Sequence, residues 1–172
     1  MKEKLKKVVP VLLIVLGLVG YGGYRYVDSI YQENYPVYIE RLTDLAFQQG
    51  LLKVRVDISV RTLEYHSLGR ELSVETTCNG RSISDGDIIY AEPVLKFETE
   101  LTERDSIPDR NSGGAVLHLP PLERSVSHEI TVRERGGRRY PNAYAVYEVT
   151  YQTTPLDYQF KTEYWDVVFM EK

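Results

Sequence analysis

Apolar and polar residues alternate with a period of two through much of the chain after residue 51. Between Lys53 and Arg61 every second residue is Val or Ile, the pattern of a strand with one buried and one solvated face. Further strands are predicted at residues 71–78, 88–90, 94–102, 115–119, 128–134, 142–152 and within 158–169. About seven or eight strands without an intervening helical pattern predict an antiparallel β-sandwich, immunoglobulin-like or related, with a barrel or an open curved sheet as alternatives.

One charged stretch interrupts this alternation. Residues 103–114 contain Pro108 and the pair Gly113-Gly114, so we expect a long exposed loop there. The short strand that follows it is expected to end at Pro120-Pro121.

The N-terminus has a different pattern. Lysines stand at positions 2, 4, 6 and 7, and no charged residue follows between Val8 and Tyr24. A basic flank before an apolar run predicts one transmembrane helix within residues 1–27, with the lysines in the cytoplasm and the rest of the chain outside. A cleaved signal peptide shares this pattern but needs small residues before the cut. Only Gly20 and Gly22 supply such a site, so we favour an uncleaved signal anchor at the cell membrane.

Residues 28–50 predict a short membrane-proximal helix. Asn34 is placed to cap it, Pro36 suits its first turn, and Gly50 is expected to end it. The predicted organisation is therefore a cytoplasmic tail and anchor (1–27), a helical segment (28–50) and an extracytoplasmic sandwich (51–172).

The net charge of the predicted extracytoplasmic part restricts the class of partner it can bind. Residues 1–27 hold five of the 21 basic and one of the 25 acidic residues, so the remaining 145 residues carry a net charge near −8. Such a domain repels nucleic acid and attracts a basic protein. Cys78 is the single cysteine, which excludes an internal disulfide.

Candidate catalytic and metal-binding residues are few. The chain has three histidines, His66, His118 and His128. Of these, His118 and His128 lie in predicted strands and are interpreted as residues of the sheet faces, and Cys78 is interpreted as a buried, inert thiol. Carboxylates that could bind Ca²⁺ match no calcium loop and are interpreted as solvated turn residues: Asp85, Asp87, Glu103, Asp105 and Asp109. No zinc, phosphate-loop, dinucleotide or serine-elbow motif is present, so we expect a protein without enzymatic activity, cofactor or metal.

Arginine and aromatic residues gather towards the C-terminal end of the chain. Four arginines surround a predicted hairpin tip that ends at Tyr140: Arg133, Arg135, Arg138 and Arg139. Guanidinium groups beside an aromatic ring suit recognition of acidic side chains, anionic wall polymer or lipid headgroups, although hairpins also carry charge for solubility.

The chain has 14 tyrosines against four phenylalanines. Tyr144, Tyr147 and Trp165 are therefore added as candidate partner-binding residues, with sheet propensity as the competing explanation.

These features favour a membrane-tethered protein-binding module at a bacterial cell surface. It would belong to an envelope or secretion assembly, or act as an immunity protein against an exported toxin. The alternative is a module that binds cell-wall polymer or glycan, with Tyr140, Tyr144 and Trp165 as stacking surfaces. An enzyme is the least favoured reading, because it would have to carry its site without a recognisable signature.

Overall fold

The computed structural model describes residues 2–68, 71–104, 108–134, 142–156 and 160–170, with side chains from residue 13 onward. In these residues the elements are, in chain order, α1 (Lys2–Gln48), β1 (Lys53–His66), β2 (Leu72–Cys78), β3 (Arg81–Ile83), β4 (Asp87–Tyr90), β5 (Val94–Glu103), β6 (Asp109–His118), β7 (Arg124–Arg133), β8 (Tyr144–Pro155) and α2 (Tyr164–Val168). The chain divides into two compact units. We call Met1–Leu45 with Tyr158–Lys172 the helical unit, and Ala46–Asp157 the sandwich unit.

Helix α1 continues through the position where a second helix was expected to begin. Asn34 is buried within α1 and does not cap a helix, so the predicted start at Asn34 and Pro36 is wrong. Pro36 lies in the interior of α1, where proline removes one backbone hydrogen bond, and the helix continues through it.

The predicted end of the helix at Gly50 is confirmed. Gly50 adopts a left-handed conformation with φ of 66°, and its N–H donates to the carbonyl of Phe47. The N–H of Leu51 donates to the carbonyl of Ala46. These two bonds form a Schellman cap, which satisfies carbonyl groups that the end of the helix would otherwise leave unpaired.

The apolar run at the N-terminus lies within α1. Within residues 13–48, whose side chains are described, no part of the helix is both long and apolar enough to cross a membrane. The predicted transmembrane segment starts at Val8, and the side chains of residues 8–12 lie outside the described part. The large apolar side chains between residues 13 and 19 are all more than half exposed.

The sandwich unit contains two antiparallel four-stranded sheets, which confirms the predicted mainly-β, two-sheet architecture. Sheet A has the strand order β4-β1-β8-β7 and sheet B the order β3-β2-β5-β6. In an immunoglobulin domain the first strand pairs with the second. Here β1 pairs with β4 and β8, and β2 lies in the other sheet.

The core lies between the two sheets and is most regular along their central strands. Every second residue of β8 from Ala145 to Thr153 is buried, as is every second residue of β5 from Leu95 to Glu103. The Tyr151 ring of sheet A stacks on the Phe97 ring of sheet B, with centroids 4.4 Å apart and planes 9° apart.

Hydroxyl groups cross the core beside these rings. The Tyr151 hydroxyl lies 2.6 Å from Thr99 Oγ1, which in turn lies 2.8 Å from Thr76 Oγ1. Burial raises the pKa of Tyr151, and the hydrogen bond with Thr99 opposes that effect. Each buried hydroxyl thus has a partner, which removes the cost of burying a polar group alone.

The loop predicted for residues 103–114 is wrong over most of its length. Strand β5 extends to Glu103 and β6 begins at Asp109, and these two residues lie directly opposite each other, each 1% exposed. Carboxylates this deeply buried are rare. The charged residues of this segment therefore predicted an exposed loop where the structure has two strands.

The two glycines that also suggested a loop lie where backbones approach closely. A Cβ added at Gly114 would lie 2.5 Å from the carbonyl oxygen of Phe97, and one at Gly113 would lie 2.8 Å from Cδ2 of His128. Glycine inside a strand often marks such an approach.

The strand predicted within residues 158–169 is replaced, in the described residues 160–170, by the short helix α2. Its neighbouring residues Val167 and Val168 are both buried, whereas Trp165 and Phe169, four residues apart, are both exposed. This is helical spacing and not alternation.

Replacing Gly114 by alanine is predicted to destabilise the sandwich unit by about 1–3 kcal/mol, because the new methyl group meets backbone that cannot move aside alone. Urea unfolding of the full chain, followed by the near-UV circular dichroism of its buried tyrosines, measures this loss. Ser112→Ala, on an exposed position of the same strand, is the control and should change stability by less than about 0.5 kcal/mol. Equal stability of both variants would contradict the close approach of β6 to β5.

Candidate interaction surface at the base of the β7–β8 hairpin

The structure brings Arg133 and Tyr144 together at the base of the β7–β8 hairpin. Arg133 ends β7, Tyr144 begins β8, and the two residues are directly opposite in the strand register. The guanidinium carbon of Arg133 lies 5.3 Å from the centroid of the Tyr144 ring, within the range of a cation–π interaction. On the other side of β8, Tyr144 lies opposite His66 of β1, with ring centroids 4.6 Å apart.

These three side chains form a row across three strands on the outer face of sheet A. The residues that precede Arg133 and follow Tyr144, Val132 and Ala145, are buried, so the row itself points away from the core. We call Arg133, Tyr144 and His66 the arginine–tyrosine row.

A carboxylate orders the tyrosine of this row. The Tyr144 hydroxyl donates a hydrogen bond of 3.2 Å to Oε2 of Glu64. Desolvation, the hydrogen bond and the charge of Glu64 raise the pKa of Tyr144, while the charge of Arg133 lowers it. The hydroxyl therefore stays protonated at neutral pH and remains a donor to Glu64.

The row has the composition of a protein-binding hot spot. Tyrosine and arginine contribute most often to binding energy at protein interfaces, and both are exposed or half-exposed here. The Tyr144 ring is held by neighbours on both sides, so little side-chain entropy remains to be lost when a partner binds. Arg133 and Glu64 add one positive and one negative group to the same surface.

The other predicted site residues lie elsewhere. Arg135, Arg138, Arg139 and Tyr140 fall outside the described residues. Tyr147 is 6% exposed and faces the core, where burial and the neighbouring Tyr65 and Glu103 raise its pKa. Trp165 belongs to the helical unit and is exposed.

Sequence reasoning did not place Glu64 and His66 on this surface. Their position depends on an irregularity in the register of β1 against β8, between Thr62 and Glu64. Beyond that point the residues of β1 exchange faces, and the sequence carries no glycine or proline there to signal it.

The outer face of sheet B carries a cluster of three glutamates, with Lys96 and Arg110 on the same face. Glu75 of β2 lies directly opposite Glu100 of β5, and Glu98 occupies the next outward position of β5. We call these three residues the acidic face. Like charges opposite each other destabilise a sheet, and the nearby Arg110, 3.8 Å from Oε1 of Glu100, is an exposed partner of small effect. The glutamate cluster and the arginine–tyrosine row thus lie on different sheets.

The candidate metal ligands Asp85 and Asp87 stabilise a turn. Asp85 Oδ1 accepts a hydrogen bond from the N–H of Ile58, and Asp87 Oδ2 accepts one from the N–H of Ser84. Asp105 lies outside the described residues. In the part of the chain that the structure describes, no group of three or more His, Cys, Asp or Glu residues could hold a metal ion.

The candidate catalytic histidines occupy different places. His128 stacks on Tyr151 at the margin of the core, with centroids 5.6 Å apart. Burial lowers the pKa of His128, and a hydrogen bond with the Gly113 backbone partly opposes this effect. The lowered pKa favours a neutral imidazole. His118 is exposed at the end of β6, and His66 belongs to the arginine–tyrosine row.

Comparison with protein families and with curated proteins finds no relative. The chain matches no protein-family model and no curated protein. The arginine–tyrosine row and the acidic face are two surfaces of the described residues with defined chemistry.

The thiol of Cys78 is predicted to be unreactive in the folded protein. Cys78 is buried, and burial together with the charge of Glu92 raises its pKa to about 11. Because only the thiolate attacks a disulfide reagent, and about one thiol in a thousand is ionised at pH 8, Ellman's reagent should label the native chain far more slowly than the unfolded one. Cys78→Ser gives the baseline. Rapid stoichiometric labelling of the folded protein would contradict the burial of this strand.

Proposed function

We propose that this protein is a membrane-tethered, non-enzymatic module that binds a protein partner outside the cytoplasm. The observation that carries the proposal is the arginine–tyrosine row, in which Arg133 and His66 hold Tyr144 in place on an exposed sheet face. Three further arginines close to Arg133 in sequence, Arg135, Arg138 and Arg139, are proposed to contribute to the same binding surface.

The geometry of Tyr144 favours a protein partner over a glycan. A sugar ring stacks on an aromatic face that is free, but β7 and β1 flank the Tyr144 ring with Arg133 on one side and His66 on the other. A protein partner needs no free ring face, because it contacts the ring edge, the guanidinium and Glu64 together.

Charge favours a partner with a basic surface. The acidic face sets Glu75 against Glu100, and a cationic group placed beside them would relieve this repulsion. The negative charge of residues 28–172 would also accelerate the encounter with a basic protein.

Attachment to a membrane is proposed from the charge-free run between Val8 and Tyr24 that follows four lysines. The span required begins before residue 13, and the described part of the run consists of exposed apolar side chains. Tethering would hold the sandwich unit at high effective concentration near an exported or membrane-bound partner. This role fits a component of an envelope or secretion assembly, or an immunity protein that neutralises an exported toxin.

The proposal is tested by cross-linking the full-length protein in its native membrane and identifying by mass spectrometry what co-purifies. One protein should be recovered in stoichiometric amount, and Arg133→Glu or Tyr144→Ser should reduce its recovery by about tenfold or more, as expected for hot-spot residues. Arg81→Glu, the same charge reversal on exposed strand β3 of sheet B, is the matched control and should leave recovery unchanged.

Recovery that does not change in the Arg133→Glu and Tyr144→Ser variants would show that the row is not the binding surface. Retention on purified wall material, with no cross-linked protein, would replace the protein partner by a wall polymer.

A further inference from the structure

The C-terminal segment of the helical unit packs on α1 through aromatic rings. The Tyr164 ring stacks on that of Tyr31, with centroids 4.5 Å and planes 17° apart. Tyr164 and Trp165 line one groove together with Gly23, Tyr24 and Val27 of α1. The position of Trp165 along α1 is therefore known: it lies level with residues 23–27.

Two aromatic side chains of this segment are left uncovered. Trp165 is 57% and Phe169 74% exposed, and their rings stack with centroids 5.7 Å apart. Val167 and Val168 are buried, so the short helix α2 has one packed and one bare apolar side. Large adjacent apolar groups exposed in this way mark an interaction site.

Exposed tyrosines of α1 lie at or near the same level along the helix as Trp165. Tyr21, Tyr24 and Tyr26 are each more than 60% exposed, and the exposed apolar side chains of residues 13–19 precede them. Arg25 is the first charged residue after the run that begins at Val8. The aromatic groups of α1 and α2 thus lie where the helix changes from charge-free to charged.

This arrangement matches the boundary between hydrocarbon and headgroups in a lipid bilayer. Tyrosine and tryptophan concentrate there because each combines an apolar ring with a polar tip. Glu163 and Asp166, which flank Trp165 and are exposed, set the depth, since carboxylates are costly in hydrocarbon but tolerated among headgroups.

We propose that Tyr21, Tyr24, Trp165 and Phe169 form an aromatic collar that binds the headgroup region of a phospholipid bilayer. The inference rests on the proposed membrane attachment and extends it: the C-terminal segment is a second contact with the same membrane surface. Lipid is favoured over a protein occupant because the collar is continuous with the apolar run of α1 and stands at its charged end.

Trp165 is the single tryptophan of the chain and reports directly on the collar. The full-length protein is reconstituted in phosphatidylcholine vesicles whose acyl chains carry bromine either near the headgroups or near the chain ends. Trp165 emission should shift to shorter wavelength than in the urea-unfolded chain. Bromine near the headgroups should quench it more strongly than bromine near the chain ends.

A matched variant separates the collar from the anchor. In Trp165→Phe/Leu16→Trp the reporter moves into the apolar run, where bromine near the chain ends should quench it more strongly. If that variant is quenched and Trp165 in the unchanged protein is not, the collar is overturned while the anchor stands. A shift of Trp165 to shorter wavelength without quenching would mean that protein covers the ring, which also overturns the collar. If neither tryptophan is quenched and the protein does not float with the vesicles, both proposals fail.

Discussion

The stacking of Tyr151 on Phe97 is the contact on which the rest of the sandwich unit depends. It joins the central strands β8 and β5 of the two sheets, and the hydroxyl chain through Thr99 and Thr76 satisfies the polar atoms that the contact buries. Residues on a strand alternate between faces, so fixing Tyr151 inward also fixes which side chains of β8 point outward. The position of Tyr144 on the outer face is a consequence of this core contact. A slip of one residue would bury Tyr144 and expose the core.

The same register separates the two candidate surfaces by chemistry. Sheet A presents ordered aromatic and guanidinium groups, which suit specific contacts in a desolvated interface. Sheet B presents carboxylates whose mutual repulsion is only weakly compensated, which suits long-range attraction of a basic protein more than tight contact. A partner that engages sheet A would be attracted by the net charge of the whole unit and held by the arginine–tyrosine row.

Local patterns predicted the elements whose inward residues are apolar. The alternation between Lys53 and Arg61 identified β1, and Gly50 correctly ended α1, because both depend on residues close in sequence. The segment around Glu103 and Asp109 failed because its inward positions are carboxylates, whose burial depends on tertiary surroundings. Two residues of the arginine–tyrosine row, Arg133 and Tyr144, were predicted, because they are neighbours across one hairpin. His66 was not predicted, because it lies about 80 residues before Tyr144 in the sequence and beyond an irregularity in the register of β1.

The burial of Cys78 protects its thiol only once the chain has folded. If the chain is exported unfolded, as the proposed function requires, its one thiol would enter an oxidising compartment exposed, and two such chains could form a covalent dimer. When the two sheets pack together, Cys78 of β2 is buried and its thiol becomes inaccessible. Under that proposal the thiol would be at risk only between export and folding, so the rate of folding, more than the stability of the folded sandwich, would determine how many copies remain single chains.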